Sequence, residues 1–242
     1  MSVERSVFPV VITGAGRRIG LALAHHILAR DLPLLISYRT RNAEIDNLEA
    51  LDACCLQADF SQEASIEAFA AEVTHRCRGL RALIHNASTW QAEAPDKPLI
   101  TTLEEMLRIH VHAPYLLNHR LAPLLCEQGV AGGDIIHLTD YVAERGSEKH
   151  IAYAASKAAL DNMTRSFARK FAPYVKVNAI APGLILPNEP ADAASNQRAV
   201  SKSLMGVTPG VQEIIGLVDY LMASQFVTGR TFPVDGGRNL RS

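Results

Sequence analysis

Short, mostly apolar runs alternate along this chain with segments whose apolar residues recur every three to four positions. The first pattern predicts buried strands, the second helices with one apolar face. Strands are expected over Val7–Ile12, Leu32–Ser37, Ala53–Ala58, Ala82–His85, Asp134–Leu138, Val175–Ile180 and Thr231–Val234. Helices are expected over Arg18–Arg30, where Ile19, Leu23, Ile27 and Leu28 share a face, and over Ile66–Arg76 after a cap near Ser61. A longer one runs over Thr102–Cys126, interrupted or bent around Pro114, and two more cover Ala152–Phe171 and Val211–Ala223. Strands separated by helices imply an α/β fold, a parallel sheet covered on both faces.

Nothing in the pattern divides the chain. At 242 residues it fits one large α/β domain, residues 1–242, with no internal repeat, low-complexity tract or linker. One stretch, Pro187–Ser203, is polar and flanked by proline; it reads as a substrate-loop or lid segment, or as a short surface helix with loops. Lys+Arg 24 against Asp+Glu 25 leaves a net charge of −1, which gives no electrostatic reason to expect nucleic acid or an anionic membrane as partner. There is no apolar signal core at the N-terminus and no run long enough to span a bilayer, so a cytoplasmic protein is expected. Cys54, Cys55, Cys77 and Cys126 lack metal-site or redox spacing and read as reduced and structural. The histidines are scattered without ligand spacing, and no metal is expected.

The candidate chemistry begins at Thr13–Gly20 (TGAGRRIG), between the first strand and the first helix. Gly14 and Gly20 allow a tight turn and close backbone approach to a pyrophosphate, which also gains from the helix N-terminus at Arg17, Arg18 and Ile19. An NAD site wants an acid about 20 residues further on, for the ribose 2′-hydroxyl. Here the second strand ends in Ser37-Tyr38-Arg39-Thr40-Arg41, without an acid. Arg39 and Thr40, with Arg17 or Arg18, suit a 2′-phosphate instead, so the expected cofactor is NADPH. Asp59, with Phe60 beside it, follows the third strand, where an acid can reach an adenine amino group. Asn86-Ala87-Ser88 follows the fourth and can hold the loop beside the ribose. Both fall at strand carboxyl ends, where open α/β sheets bind ligands.

Tyr153 and Lys157 lie one helical turn apart in YAASKAAL, on the same helix face. An ammonium there is expected to favour the phenolate and lower the tyrosine pKa, making a proton donor usable near neutrality. Asp140 stands thirteen residues before Tyr153.

These pieces together, with Ala181-Pro182-Gly183 and the closing VTGRTFPVDGG, resemble the short-chain dehydrogenase/reductase family over essentially the whole length. The resemblance implies a single Rossmann-type, doubly wound sheet of seven strands. It implies a tyrosine acid/base, a lysine bridging the nicotinamide ribose, cofactor contacts at Pro182 and Gly183, and a homodimer or homotetramer. The chain departs from the family pattern at three positions. Arg18 replaces the usual second glycine, Asp140 the usual serine, and His110, in IHVHAPYLL, falls on a structural asparagine. The first two, with Tyr38-Arg39-Thr40, are similar to the pteridine reductase branch.

The chemistry agrees with a pterin. An ionised aspartate only accepts hydrogen bonds and repels a developing alkoxide, so Asp140 suits a substrate bearing N–H groups or needing a proton on a ring nitrogen. Trp90, in NASTW, can stack on a flat heterocycle, and Ser88 can offer its hydroxyl to substrate or cofactor. The expected reaction is NADPH-dependent reduction of a 7,8-dihydropterin: hydride to C6 and a proton to N5 from Tyr153, Asp140 or a water they hold. The alternatives are a general carbonyl or 3-oxoacyl reductase, which would prefer serine at position 140, and a non-catalytic NADPH sensor, which would have no need of Tyr153 and Lys157.

Overall fold

The computed structural model describes residues 8–93, 98–187 and 193–241. In chain order the elements are β1 (Val10–Ile12), α1 (Arg18–Leu28), β2 (Leu34–Tyr38), α2 (Ala43–Ala50), β3 (Cys54–Gln57), α3 (Glu63–Arg76) and β4 (Ala82–His85). There follow α4 (Leu99–Leu107), a π-helical turn at Arg108–His112, α5 (Ala113–Cys126), β5 (Gly133–Leu138), α6 (Val142–Arg145) and α7 (Ile151–Phe171). The last are β6 (Val175–Pro182), α8 (Ala193–Val200), α9 (Gln212–Ala223), β7 (Thr231–Val234) and a 3-10 turn at Arg238–Leu240.

The seven strands form one parallel sheet in the order β3-β2-β1-β4-β5-β6-β7. Alternate side chains leave opposite faces, as the pleat requires. Val10 and Ile12 join Leu34, Ile36 and Ile84 under α1, α2 and α9, through Leu23, Ile27, Ile45, Leu48, Ile214 and Val218. Val11, Leu35, Leu83 and Ile135 face the other way, against Ile66 and Phe69 of α3, Leu117 and Leu121 of α5, and Phe167 of α7. Burial on both faces explains why the strands read as continuous apolar runs. The strand order reverses between β1 and β4, which opens a crevice at their carboxyl ends.

The predicted long helix is split. Pro114 has no N–H to offer the carbonyl of His110, and the turn before it widens: the amide of Ala113 reaches back to Arg108. His110 is buried at this turn. The short helices α2 and α6 are not among the predicted elements, α8 is the short surface helix expected as one reading of the 187–203 stretch, and β1 begins at Val10, the residues up to Val7 lying outside the description.

At the opposite, amino end of the sheet, Asp134 is buried between Arg81 and Lys176 of neighbouring strand starts. The two cations also donate to the carbonyls of Met222 and Leu221, closing the last turn of α9. Among the described residues, no buried side-chain nitrogen or oxygen lacks a hydrogen-bond partner, and no helix is long and apolar enough to cross a membrane.

Candidate active site

The crevice between β1 and β4 is bridged by Asn86. Its amide donates to the carbonyls of Thr13 (3.0 Å) and Gly14 (2.8 Å), while the Thr13 hydroxyl accepts from the amides of Asn86 and Ala87, both at 3.0 Å. The glycines are needed where this bridge is tight. A Cβ on Gly14, whose φ is +66°, would sit 2.7 Å from the Ala87 Cα, and one on Gly20 would sit 2.4 Å from the Asn86 amide nitrogen. Backbone therefore lines the mouth of the crevice, which is the cradle a pyrophosphate requires. Arg18 opens α1 with φ 53°, a left-handed conformation that costs a non-glycine residue energy, and its guanidinium donates to the carbonyl of Pro187 at 3.1 Å.

Beyond β2 the structure sorts the basic residues. Arg41 is held by Asp46 and Glu49 and donates to the Tyr38 hydroxyl, so its charge is already committed. Arg17, Arg39 and Thr40 stand exposed around the glycine loop and the end of β2. Asn42 joins the two, donating to the carbonyl of Gly16 (3.1 Å) and accepting from the amide of Ile45 as the cap of α2. The sequence reading passed over Asn42, though an asparagine before a helical run is a legible cap. Asp59 caps the turn after β3 through the amide of Ser61 at 3.0 Å. Phe60, beside Asp59, has its ring buried in the core, edge-on to Phe69 with centroids 5.5 Å apart, rather than free beside an adenine site. Gly183 follows β6 with its amide on Val234, close against Asp235, and Pro182 is buried at the strand end.

Tyr153, Lys157 and Asp140 come together as expected, but the electrostatics differ. The Tyr153 hydroxyl donates to Asp140 Oδ2 at 2.8 Å, and Asp140 Oδ1 accepts from the amide of Val142, which starts α6. Lys157 is buried and donates to the carbonyl of Leu138 at the end of β5, at 2.8 Å. Its nitrogen lies 5.7 Å from the centroid of the Tyr153 ring. The expectation that Lys157 lowers the tyrosine pKa is therefore corrected. Burial, then the neighbouring Asp140 charge and hydrogen bond, hold Tyr153 well above the ordinary phenol value. Burial also raises Asp140 and brings Lys157 down to about 8, the latter opposed by the Asp140 charge. The phenol stays protonated, a loaded donor rather than an incipient phenolate.

Trp90 is 65% exposed and its ring lies tilted against that of His150, centroids 4.3 Å apart and planes at 34°, at the start of the helix carrying Tyr153. Its segment is fastened to that helix. Glu93 accepts from the amides of Ile151 (3.1 Å) and Ala152 (2.7 Å), capping α7, and His150 bonds the carbonyl of Gln91. Burial raises the Glu93 carboxyl, but the amide bonds outweigh it and hold it below its ordinary value. No local pattern announces Glu93, which acts 58 residues from its partner. Ser88, exposed on the same loop, is bonded to His110 at 2.8 Å.

A doubly wound parallel sheet with a glycine-lined crevice and a buried tyrosine–lysine pair at its mouth defines a nicotinamide-dependent oxidoreductase of the Rossmann type. The chain belongs to the short-chain dehydrogenase/reductase family, among the dihydromonapterin reductases. A family model described as enoyl-(acyl carrier protein) reductase matches residues 14–239. A dihydromonapterin reductase of Klebsiella pneumoniae is 62% identical over 238 residues, 98% of this chain and 99% of the relative. One from Escherichia coli O1:K1 is 61% identical over 233 residues, covering 96% and 97%. Among solved structures, FolM alternative dihydrofolate reductase 1 from Brucella canis complexed with NADP is 27% identical, with a TM-score of 0.88 over 97% of this chain and 95% of that one. An RhlG/NADP active-site complex from Pseudomonas aeruginosa is 26% identical with a TM-score of 0.86, covering 96% of both chains.

Proposed function

We propose that this chain reduces 7,8-dihydropterins with NADPH, converting dihydromonapterin to tetrahydromonapterin and, as a lesser activity, dihydrofolate to tetrahydrofolate. The observation that carries the reading is the Tyr153–Asp140 bond, which puts an acceptor-only carboxylate where a ketone reductase needs a donor. The identity to dihydromonapterin reductases and the likeness to NADP-bound structures support it.

When bound, NADPH supplies the hydride that reduces the C6–N5 double bond. The loop from Gly14 to Gly20, with the amides around Arg18 and Ile19, holds the pyrophosphate. Arg39 and Thr40, joined by Arg17, hold the 2′-phosphate beside Tyr38. Asp59 and the Phe60 backbone meet the adenine, Asn86, Ala87 and Ser88 fix the loop next to the ribose, and Pro182 and Gly183 close the nicotinamide end. Lys157 orients the ribose. Tyr153 delivers a proton to N5, and Asp140 accepts from the substrate's N–H groups and stays the phenol's partner. Trp90 covers one face of the flat ring. Ser88 contributes an oxygen to the substrate edge.

Residues 187–203 form the substrate loop in this reading. Arg18 ties its start to the glycine loop, and the C-terminal turn grips its end: Arg238 donates to the carbonyl of Ala199 at 3.0 Å and Arg241 to those of Ser201 and Ser203. The chain acts as a single domain over residues 1–242 and works in the cytoplasm as a homodimer or homotetramer. Leu99, Ile100 and Tyr115, each at least half exposed along α4 and α5, support an assembly that covers them.

Transfer from deuterium-labelled NADPH to dihydromonapterin tests the reaction. Label is expected at C6 of the tetrahydropterin; no turnover, or label at another carbon, overturns the assignment.

A further inference from the structure

His110 is used by none of the steps above, yet it is buried within the site. It sits in the π-helical turn, its ring edge-on to that of Tyr153 with centroids 5.4 Å apart. Each of its ring nitrogens has one hydroxyl partner: Nδ1 meets Ser156 Oγ at 2.8 Å and Nε2 meets Ser88 Oγ at 2.8 Å. The direction of these bonds follows from the far end. The Ser156 hydroxyl gives its only proton to the carbonyl of Tyr153, at 2.7 Å. Towards His110 it can only accept, so Nδ1 carries the proton. Nearly complete burial, with Lys157 adding a second cost, keeps the ring neutral, so Nε2 carries none. The Ser88 hydroxyl then donates to Nε2 at 2.8 Å in preference to the carbonyl of Thr89, its other acceptor, at 3.4 Å.

We infer that His110 is a positioning residue that locks the Ser88 hydroxyl proton away from the substrate, so that Ser88 faces the ring edge as a hydrogen-bond acceptor. Ser88 stands next to the Tyr153 side chain. The site then presents two acceptors, Ser88 Oγ and the Asp140 carboxylate, beside the Tyr153 hydroxyl, whose proton is directed at Asp140 until the substrate nitrogen takes it. A dihydropterin edge carries N–H donors to meet both acceptors and a ring nitrogen to receive the one proton. A ketone carries no N–H, and its oxygen would meet two repelling oxygens. The widened turn before Pro114 is what brings an imidazole to this depth, at a position where the family pattern has an asparagine.

The inference rests on the dihydropterin reading, and a double-mutant cycle separates the two. Steady-state kinetics with dihydromonapterin and NADPH are measured for the wild-type chain and for Ser88→Ala, His110→Phe, His110→Gln and Ser88→Ala/His110→Phe. If the wild-type chain does not turn over dihydromonapterin, the functional reading itself fails. If it does, His110→Phe is expected to lower kcat/KM about 10-fold, the effect of one lost hydrogen-bonding arrangement. His110→Gln, whose amide oxygen can still accept from Ser88, is expected to recover most of it. In the Ser88→Ala background His110→Phe should change kcat/KM by less than about 2-fold, because the two residues act as a unit. NADPH affinity should stay near wild type throughout. Equal losses from His110→Phe with and without the serine, or a glutamine variant as impaired as the phenylalanine one, would overturn the inference. If His110→Phe does not fold, the same cycle run with His110→Leu, which also lacks an acceptor for Ser88, decides, with the same additive outcome against it.

Discussion

The Tyr153 hydroxyl donates to Asp140 Oδ2 at 2.8 Å, and the two groups set each other's charge. A phenolate beside the carboxylate would place two negative charges in a buried site, so the phenol keeps its proton. Asp140→Asn removes the charge and keeps the shape. The tyrosine pKa, followed by ultraviolet titration, is expected to fall, and kcat/KM for dihydromonapterin to drop about 10- to 100-fold, the range of a mispositioned acid. An unchanged titration would show that Asp140 does not govern the phenol.

Tyr153→Phe deletes the donor while preserving packing. NADPH binding should change by less than about 2-fold, whereas kcat should fall about 100-fold or more. Near-normal turnover would assign the proton to another group.

Arg39 is exposed at the end of β2, while Arg41 is engaged by Asp46 and Glu49. Arg39→Ala should weaken NADPH about 10-fold, the worth of one charge-assisted hydrogen bond, and leave NADH binding unaltered. Arg41→Ala should act on α2 stability more than on cofactor choice. Equal losses for both cofactors on replacing Arg39 would remove it from the 2′-phosphate site, as judged by fluorescence titration of each.

A second buried network predicts acid sensitivity. His85 bonds Asn118 at 2.8 Å, Asn118 bonds His137 at 3.1 Å, and His137 bonds Thr164 at 2.8 Å, linking β4 and β5 to α5 and α7. Burial lowers His85 from 6.5 to about 4, and it lowers His137 in the same direction. Between those values the unfolded chain binds the proton and the folded chain does not, so stability is full above 6.5 and is lost as pH falls towards 4. For His85 alone the shift corresponds to at most about 3 kcal/mol. Urea unfolding between about pH 7 and pH 4.5 should show this decline, and a flat profile would contradict it.

The sheet was legible because its inner strands, buried on both faces, are mostly apolar runs between helical periods, while the edge strands β3 and β7 are only partly buried. Its strand order is carried by no apolar pattern and comes from the structure. The helix α2 carries little signal because it is short and mostly polar, α8 only enough to be one of two readings of its stretch, and α6 none because it is a single turn started by Asp140. Tyr153, Lys157 and Asp140 could be read from spacing, but the sign of the tyrosine shift could not. Helical spacing places Lys157 on the same face without saying that the carbonyl of Leu138 takes its ammonium. Phe60 illustrates the converse, a residue adjacent to a crevice whose side chain belongs to the core. Glu93 and His110 depend on contacts across 58 and 22 residues that no local pattern carries. The residues that sequence brings into view are those whose chemistry is fixed by neighbours in sequence.

The central claim is that Asp140, facing Tyr153, makes this a reductase of nitrogen-rich rings rather than of carbonyls. The most direct test is kcat/KM with NADPH for dihydromonapterin against a 3-oxoacyl thioester, for the wild-type chain and for Asp140→Ser. The wild-type chain is expected to favour the dihydropterin by about 100-fold or more, with Asp140→Ser narrowing that ratio by at least about 10-fold as a donor returns to the site. A wild-type chain that prefers the thioester, or a ratio untouched by the serine, would contradict the account.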